Sequence, residues 1–252
     1  MPDAGEALGL LQLLARRGTP QPSAALAREL GLPRSSTYRL LGVLRDAGFV
    51  THSRDDQRWG LGVAAYELGS AYTRQQPLQR VALPTIRRLV DETQQNVHLA
   101  VLHGRDVLYV IEERAPGRPA LVTDVGVRLP ATLTASGLAM LARLPYAQVR
   151  ALFPSRSDFV QRHGVGPTSL TALRSELSQV RARGYAFEDG SVTTGLASVA
   201  ACVFDHTGQP AAGLATTFAS DLKTAERERL VEQVLAAAES LSQRLGFRAS
   251  IA

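Results

Sequence analysis

A chain of 252 residues with 45% hydrophobic and 20% charged residues has the make-up of one large or two ordinary globular domains, not of a disordered or fibrous protein. No apolar run approaches the roughly 18–20 residues that a membrane-spanning helix needs, and Asp3 and Glu6 replace the basic start of a secretory leader, so a cytoplasmic location without a membrane partner is expected. One cysteine, Cys202, excludes an internal disulfide and a multi-cysteine zinc site, while a formal net charge of +5 permits a nucleic-acid partner without requiring one.

The basic charge is local. Within residues 16–58 eight arginines stand against four acidic residues, and the whole chain has a single lysine, Lys223. The leucines at 8, 10, 11, 13 and 14 recur at helical spacing, and Arg16-Arg17-Gly18 suits the end of that helix. Thr19-Pro20-Gln21-Pro22 reads as a rigid connector. Ser23 is a suitable N-cap for a second helix with Leu26, Ala27 and Leu30 inward. Gly31 offers the positive φ of a sharp turn. A third helix is expected from Pro33 to a C-cap at Gly48, with Thr37, Leu40, Leu41 and Leu44 on the inner face. Its outer face presents Arg34, Ser35, Ser36, Tyr38 and Arg39, where the major groove of double-stranded DNA can take them. Residues 49–51 and 58–61 read as strands around a turn at 53–57. This wing brings His52, Arg54 and Arg58 toward the DNA backbone or minor groove.

Residues 63–72 resume helical spacing and link to a second domain. There, residues 78–93 read as a helix with Val81, Ile86, Leu89 and Val90 as its apolar stripe. Residues 97–102 and 107–111 form a hairpin, and residues 120–123 a short strand. Helices are expected at 136–144, 146–153 and 170–183, the last stopped by Gly184. Strands follow at 185–187, 197–204 and 213–218, and a terminal helix at 223–245 ends on Gly246. Helices flanking a mostly antiparallel sheet make an α+β fold. The domain reading is 1–62 for DNA binding, 63–76 as linker helix, and 77–252 for effector binding and oligomerisation.

In this order and spacing the blocks LARELGLPRSSTYRLLGVLRDAGFV, WGLGVAAYELG, VHLAVLHGRDVLYVIEE, VGVRLPATLTASGLAMLA, RARGYAFEDG and GLASVAACVFDHTGQPAAGLA resemble the IclR family of bacterial transcriptional regulators over essentially the whole chain. The resemblance implies a winged helix-turn-helix joined to a GAF-like α/β effector-binding domain. It also implies self-association as a homodimer or dimer of dimers, and a small organic or aromatic acid as effector. The small residues at Ala135, Ser136 and Gly137, at a helix start, are the expected anion-holding turn. Contacts carried over from the family fall on Glu188, Leu196, Ser198, Ala215 and Thr217, with Leu129 and Met140 as apolar candidates. The chain departs from the family's pattern at several of these positions. Glu188 stands for an aspartate, Ser198 for a frequent cysteine, Ala215 for a small polar residue, and Gly190-Ser191 for an acidic pair. The particular ligand is therefore open.

No cofactor, metal site or catalytic set is expected. His52, His98, His103, His163 and His206 are scattered, and no HExxH, GxSxG or GxxxxGK[ST] pattern occurs. Glu112 and Glu113 are adjacent on a strand and face opposite ways. Two alternatives make distinct predictions. An enzyme acting on a small carboxylic acid would turn the acid over, and a ligand-independent DNA-binding or interaction protein would respond to no metabolite.

Overall fold

The structure is a computed structural model that describes residues 4–75, 77–118, 121–162 and 164–248. The chain divides into two compact units, Met1–Gln76 and Pro77–Ala252.

The first unit opens with α1 (Ala4–Arg17), β1 (Gln21–Pro22), α2 (Ser23–Leu30) and α3 (Arg34–Asp46). Leu10, Leu13 and Leu14 of α1 meet Leu26, Leu40, Leu41 and Leu44 in one small core. The turn between α2 and α3 rests on Gly31, whose φ of 66° is costly for any residue with a Cβ. The hairpin β2 (Val50–His52) and β3 (Arg58–Leu61) follows, with His52 paired to Trp59. Helix α4 (Val63–Gln75) closes the unit.

Three local expectations are corrected. The connector contains a strand: β1 pairs antiparallel with β3, Gln21 opposite Trp59, so the wing sheet has three strands. A proline is tolerated there because β1 is an edge. Ser23 is the first residue of α2 rather than its cap, since the N-cap is Pro22 and no side chain caps the helix. The third helix stops at Asp46 with Ala47 as its C-cap, and Gly48 takes the positive φ of 77° one residue later.

The second unit is a six-stranded antiparallel sheet with helices on both faces. Its elements are α5 (Pro77–Thr93), β4 (Asn96–His103), β5 (Asp106–Glu113), β6 (Arg128–Pro130), α6 (Ala135–Leu141), α7 (Tyr146–Leu152), α8 (Leu170–Arg183), β7 (Ala186–Asp189), β8 (Leu196–Phe204), β9 (Pro210–Ala219) and α9 (Thr224–Arg244). The strand order is β6-β5-β4-β9-β8-β7. Strand alternation decides which layer each residue joins. Ala197, Val199, Ala201 and Val203 of β8 join Ile86 and Leu89 of α5 and Val234 and Leu241 of α9. Their neighbours Ala200 and Cys202 face α6, α7 and α8 together with Tyr109, Leu138 and Leu173.

Helix α6 is buried along its whole length. It lies so close to the sheet that a Cβ on Gly213 would come within 2.6 Å of the Ser136 carbonyl oxygen. The proposed short strand at 120–123 is corrected: Leu121 to Thr123 are not in a strand, and Ala120 lies outside the described residues. The strand is β6 instead, which pairs Val107 with Leu129.

Candidate functional site

Two groups of residues carry the chemistry, one in each unit. On α3, Arg34, Ser35, Tyr38 and Arg39 are exposed and Ser36 is half-buried, while Thr37 is buried and donates its hydroxyl to the Pro33 carbonyl at 3.1 Å. The face follows from helical spacing, because Thr37, Leu40, Leu41 and Leu44 occupy the core side. Arg34, Arg39 and Arg54 have no ion pair among the described residues, whereas Arg17 is bound to Glu29 and Arg45 to Asp46. Both α2 and α3 begin on a proline with no side-chain cap, so the first-turn N–H groups remain open to an anion such as a phosphate oxygen.

The wing residues divide. Arg54 is exposed. Arg58 donates to the Pro20 carbonyl at 3.2 Å and lies 3.8 Å from the Asp56 carboxylate, so its guanidinium is partly committed within the wing. His52 is half-buried and stacks on Trp59 with ring centroids 4.4 Å apart, and Tyr38 meets the same indole edge-on at 6.2 Å. His52 therefore braces the wing against α3 as much as it faces outward.

In the second unit a narrow cavity opens at the start of α6. It is lined by His98, Tyr109, Leu121, Val122, Thr123, Thr134, Ala135, Ser136, Glu188, Val192, Thr193, Leu196, Ser198 and Thr217. Of the residues expected from sequence, Ala135, Ser136, Glu188, Leu196, Ser198 and Thr217 are there.

Four are elsewhere. Gly137 packs against the Ala131 backbone, where a Cβ would come within 2.2 Å of the carbonyl oxygen, and its N–H is taken by Thr134 Oγ1 at 3.1 Å. Its small size serves packing, and the anion-holding role expected of it is corrected. Met140 and Ala215 are fully buried in the core between the sheet and α6. Leu129 lies on β6 and borders a neighbouring cleft with Ser191 and Val192.

Sequence reading missed His98, Tyr109, Thr123 and the 192–193 loop. The available signal was His98, a polar residue set within the apolar run 97–102, and the structure buries it.

Three polar atoms of the cavity stand apart from its paired ones. His98 Nδ1, Thr123 Oγ1 and Ser136 Oγ are buried without a hydrogen-bond partner among the described residues. Each such group costs about 1–3 kcal/mol unless something binds it. Burial pushes the His98 imidazole down to about 4, so the ring is neutral near pH 7. Burial pushes the Glu188 carboxyl up. Hydrogen bonds from the Ser198 hydroxyl and from the Ser191 and Val192 N–H groups oppose that shift, and nearby Asp189 adds to it. Ser191 N–H donates to Glu188 Oε2 at 3.1 Å, and the Ser198 and Thr217 hydroxyls are 2.9 Å apart. Burial, with the Glu188 charge, keeps the Tyr109 phenol protonated.

Cys202 is buried below α6, and burial pushes its thiol up to about 12, which makes it an inert core residue at neutral pH. His163 lies outside the described residues. Among the described residues no cluster of three or more His, Cys, Asp or Glu could hold a metal ion, and no helix is long and apolar enough to cross a membrane.

A winged helix-turn-helix with an exposed arginine face, in one chain with an α/β/α unit that encloses a polar cavity, defines a ligand-modulated DNA-binding regulator. Comparison with known proteins agrees. The model of the IclR helix-turn-helix domain matches residues 6–54, and that of the bacterial transcriptional regulator IclR C-terminal domain matches residues 70–243. The chain belongs to the IclR family of bacterial transcriptional regulators.

It is 30% identical over 209 residues to the transcriptional repressor IclR of Escherichia coli, covering 82% of this chain and 76% of that protein. It is 31% identical over 243 residues to the glycerol operon regulatory protein of Streptomyces coelicolor, covering 95% and 94%. An IclR homolog from Microbacterium hydrocarbonoxydans, complexed with 4-hydroxybenzoate, shares the fold with a TM-score of 0.75 at 24% identity, covering 95% of this chain and 98% of that one.

Proposed function

We propose that residues 1–62 bind operator DNA through Arg34, Ser35, Ser36, Tyr38 and Arg39, with His52, Arg54 and Arg58 at the wing. In this reading residues 63–76 link the units, and residues 77–252 bind a small carboxylic acid and join copies of the chain into a dimer or dimer of dimers. The acid acts by linkage: it binds one conformational state better and shifts operator affinity by that difference. The protein works as a regulator in the cytoplasm and does not turn its ligand over.

The observation that carries the effector reading is the convergence of three unsatisfied buried polar groups on one cavity, at His98, Thr123 and Ser136. A ligand with two or more oxygens satisfies them. The complex of 4-hydroxybenzoate with a protein of this fold favours an acid of that size.

The test measures binding of the full-length protein to the DNA upstream of its own gene, with and without each member of a panel of small aliphatic and aromatic acids. Saturable binding of an acid, recovery of that acid unchanged, and a shift in DNA affinity are expected. An acid that binds tightly and leaves DNA affinity unmoved sinks the coupling.

A further inference from the structure

Resting on the reading of the cavity as the effector site, we propose that the acid enters with one proton and shares it with Glu188, so that the cavity holds a carboxyl–carboxylate pair rather than two anions. Among the described residues the cavity lining holds one acidic side chain, Glu188, and no arginine or lysine. Glu188 is 7% exposed and accepts from the Ser191 N–H, which holds its carboxyl at the cavity.

The titratable groups around it supply no compensating charge. His98 on β4 is neutral near pH 7, since burial pushes its imidazole down to about 4, and Tyr109 on β5 stays protonated. On α8, Glu176 borders a cleft beside Glu188 and adds a second acid; burial raises its carboxyl, opposed by Arg183. Asp189, next along β7, accepts from the Ser220 hydroxyl at 2.6 Å. Glu112, opposite His98 on β5, is bound to Arg114, which also reaches Asp124 at 3.7 Å. Arg227 sits over the Phe187 ring at 5.4 Å, and Phe187 precedes Glu188 on β7 and so points to the opposite face of the sheet.

Two ionised carboxyls enclosed together without a cation repel strongly, and one of them stays protonated. The acid is an anion in neutral solution, so the complex takes its proton from solvent and places it between the ligand oxygen and a Glu188 oxygen. The Ser136 and Thr123 hydroxyls donate to the other ligand oxygen.

Calorimetric titration of the full-length protein with 4-hydroxybenzoate, benzoate and propionate, in two buffers of different protonation enthalpy, reads the proton directly. For the acids that bind, uptake of about one proton per site is expected, and Kd weakens about tenfold per pH unit above neutrality. Glu188→Gln keeps the shape of the side chain and is expected to bind without proton uptake, with Kd flat in pH; Glu188→Asp restores the uptake. Zero uptake in the natural protein overturns the proposal and leaves the acid-effector reading standing. Uptake that persists in Glu188→Gln and vanishes in His98→Gln assigns the proton to the imidazole and overturns it too. If none of the three acids binds at pH 6, the acid-effector reading itself falls and takes the proton with it.

Discussion

The face of α3 and the cavity below α6 handle polar groups in opposite ways. Arg34, Arg39 and Arg54 wait in solvent, and water satisfies them at little cost to the fold. In the cavity, His98 Nδ1, Thr123 Oγ1 and Ser136 Oγ are buried and unpaired among the described residues, and a buried polar group without a partner is costly to the fold. The difference teaches where regulation can act. A ligand bound at either place stabilises the folded chain by linkage, but only one in the buried cavity would also relieve the cost of unpaired polar groups.

The comparison breaks most severely if the close approach of α6 to the sheet is lost. Gly137→Ala drives a Cβ onto the Ala131 carbonyl oxygen and is expected to destabilise residues 77–252 by about 3 kcal/mol. Urea unfolding followed by circular dichroism reads this, and a change below about 1 kcal/mol would mean that α6 can shift freely.

Nearly as large is the acid response of His98. Its folded-state value of about 4 lies below the ordinary 6.5, so between those values the folded chain binds fewer protons than the unfolded one. Stability should therefore climb by about 3 kcal/mol as pH rises from 4 to 6.5 on account of this group, and be flat in it above. Glu188 works the other way. Its raised folded-state value favours the folded form at low pH, a contribution lost as pH rises through that value. His98→Gln isolates the first effect and should remove the rising limb from a plot of unfolding free energy against pH.

The solvated side of the comparison predicts smaller and purely local effects. Arg39→Ala should weaken operator binding by about 1–3 kcal/mol with no change in thermal stability, because its guanidinium is exposed and makes no ion pair among the described residues. Arg54→Ala should weaken binding to all sequences alike and lower the slope of log affinity against log salt by about one. Fluorescence anisotropy across a salt series separates the two. Arg58→Ala differs from both because Arg58 bonds to Pro20, so some loss of wing stability accompanies any loss of affinity.

These contrasts mirror what could be read in the sequence. The helix-turn-helix was legible because helical spacing, a glycine at the turn and two prolines fix it within some 25 residues. The third strand of the wing was not, since β1 exists only by pairing with Trp59, far along the chain. In the second unit the alternation of β4, β5, β8 and β9 announced the sheet. Which small residue packs and which one faces the cavity could not be read, because both environments favour Ala, Gly and Ser. Gly137 and Ala215 went to packing, and Ser136 to the cavity. His98 and Tyr109 escaped notice because their role depends on strands β4 and β5 delivering them beneath a loop that follows β5 by some ten residues.

The smallest effect discriminates best between the two regions, because it changes sign. Ser136 Oγ is 1% exposed at the residue level and has no partner among the described residues. Removing it in Ser136→Ala deletes an unsatisfied polar atom without opening a void larger than a hydroxyl, so the empty protein should gain about 1 kcal/mol of stability. The same change removes a donor to the ligand, so acid binding should weaken by about 1 kcal/mol. An alanine that stabilises the free protein while loosening its ligand marks a group held for binding. Ser242, equally buried, accepts from Phe204 N–H at 3.0 Å and donates to the Ala238 carbonyl at 2.7 Å, so Ser242→Ala should only destabilise. Thermal melts of the two variants with and without a bound acid make the comparison. If Ser136→Ala lowers the stability of the empty protein as Ser242→Ala does, Ser136 is an ordinary core hydroxyl and the cavity loses one of its three waiting groups.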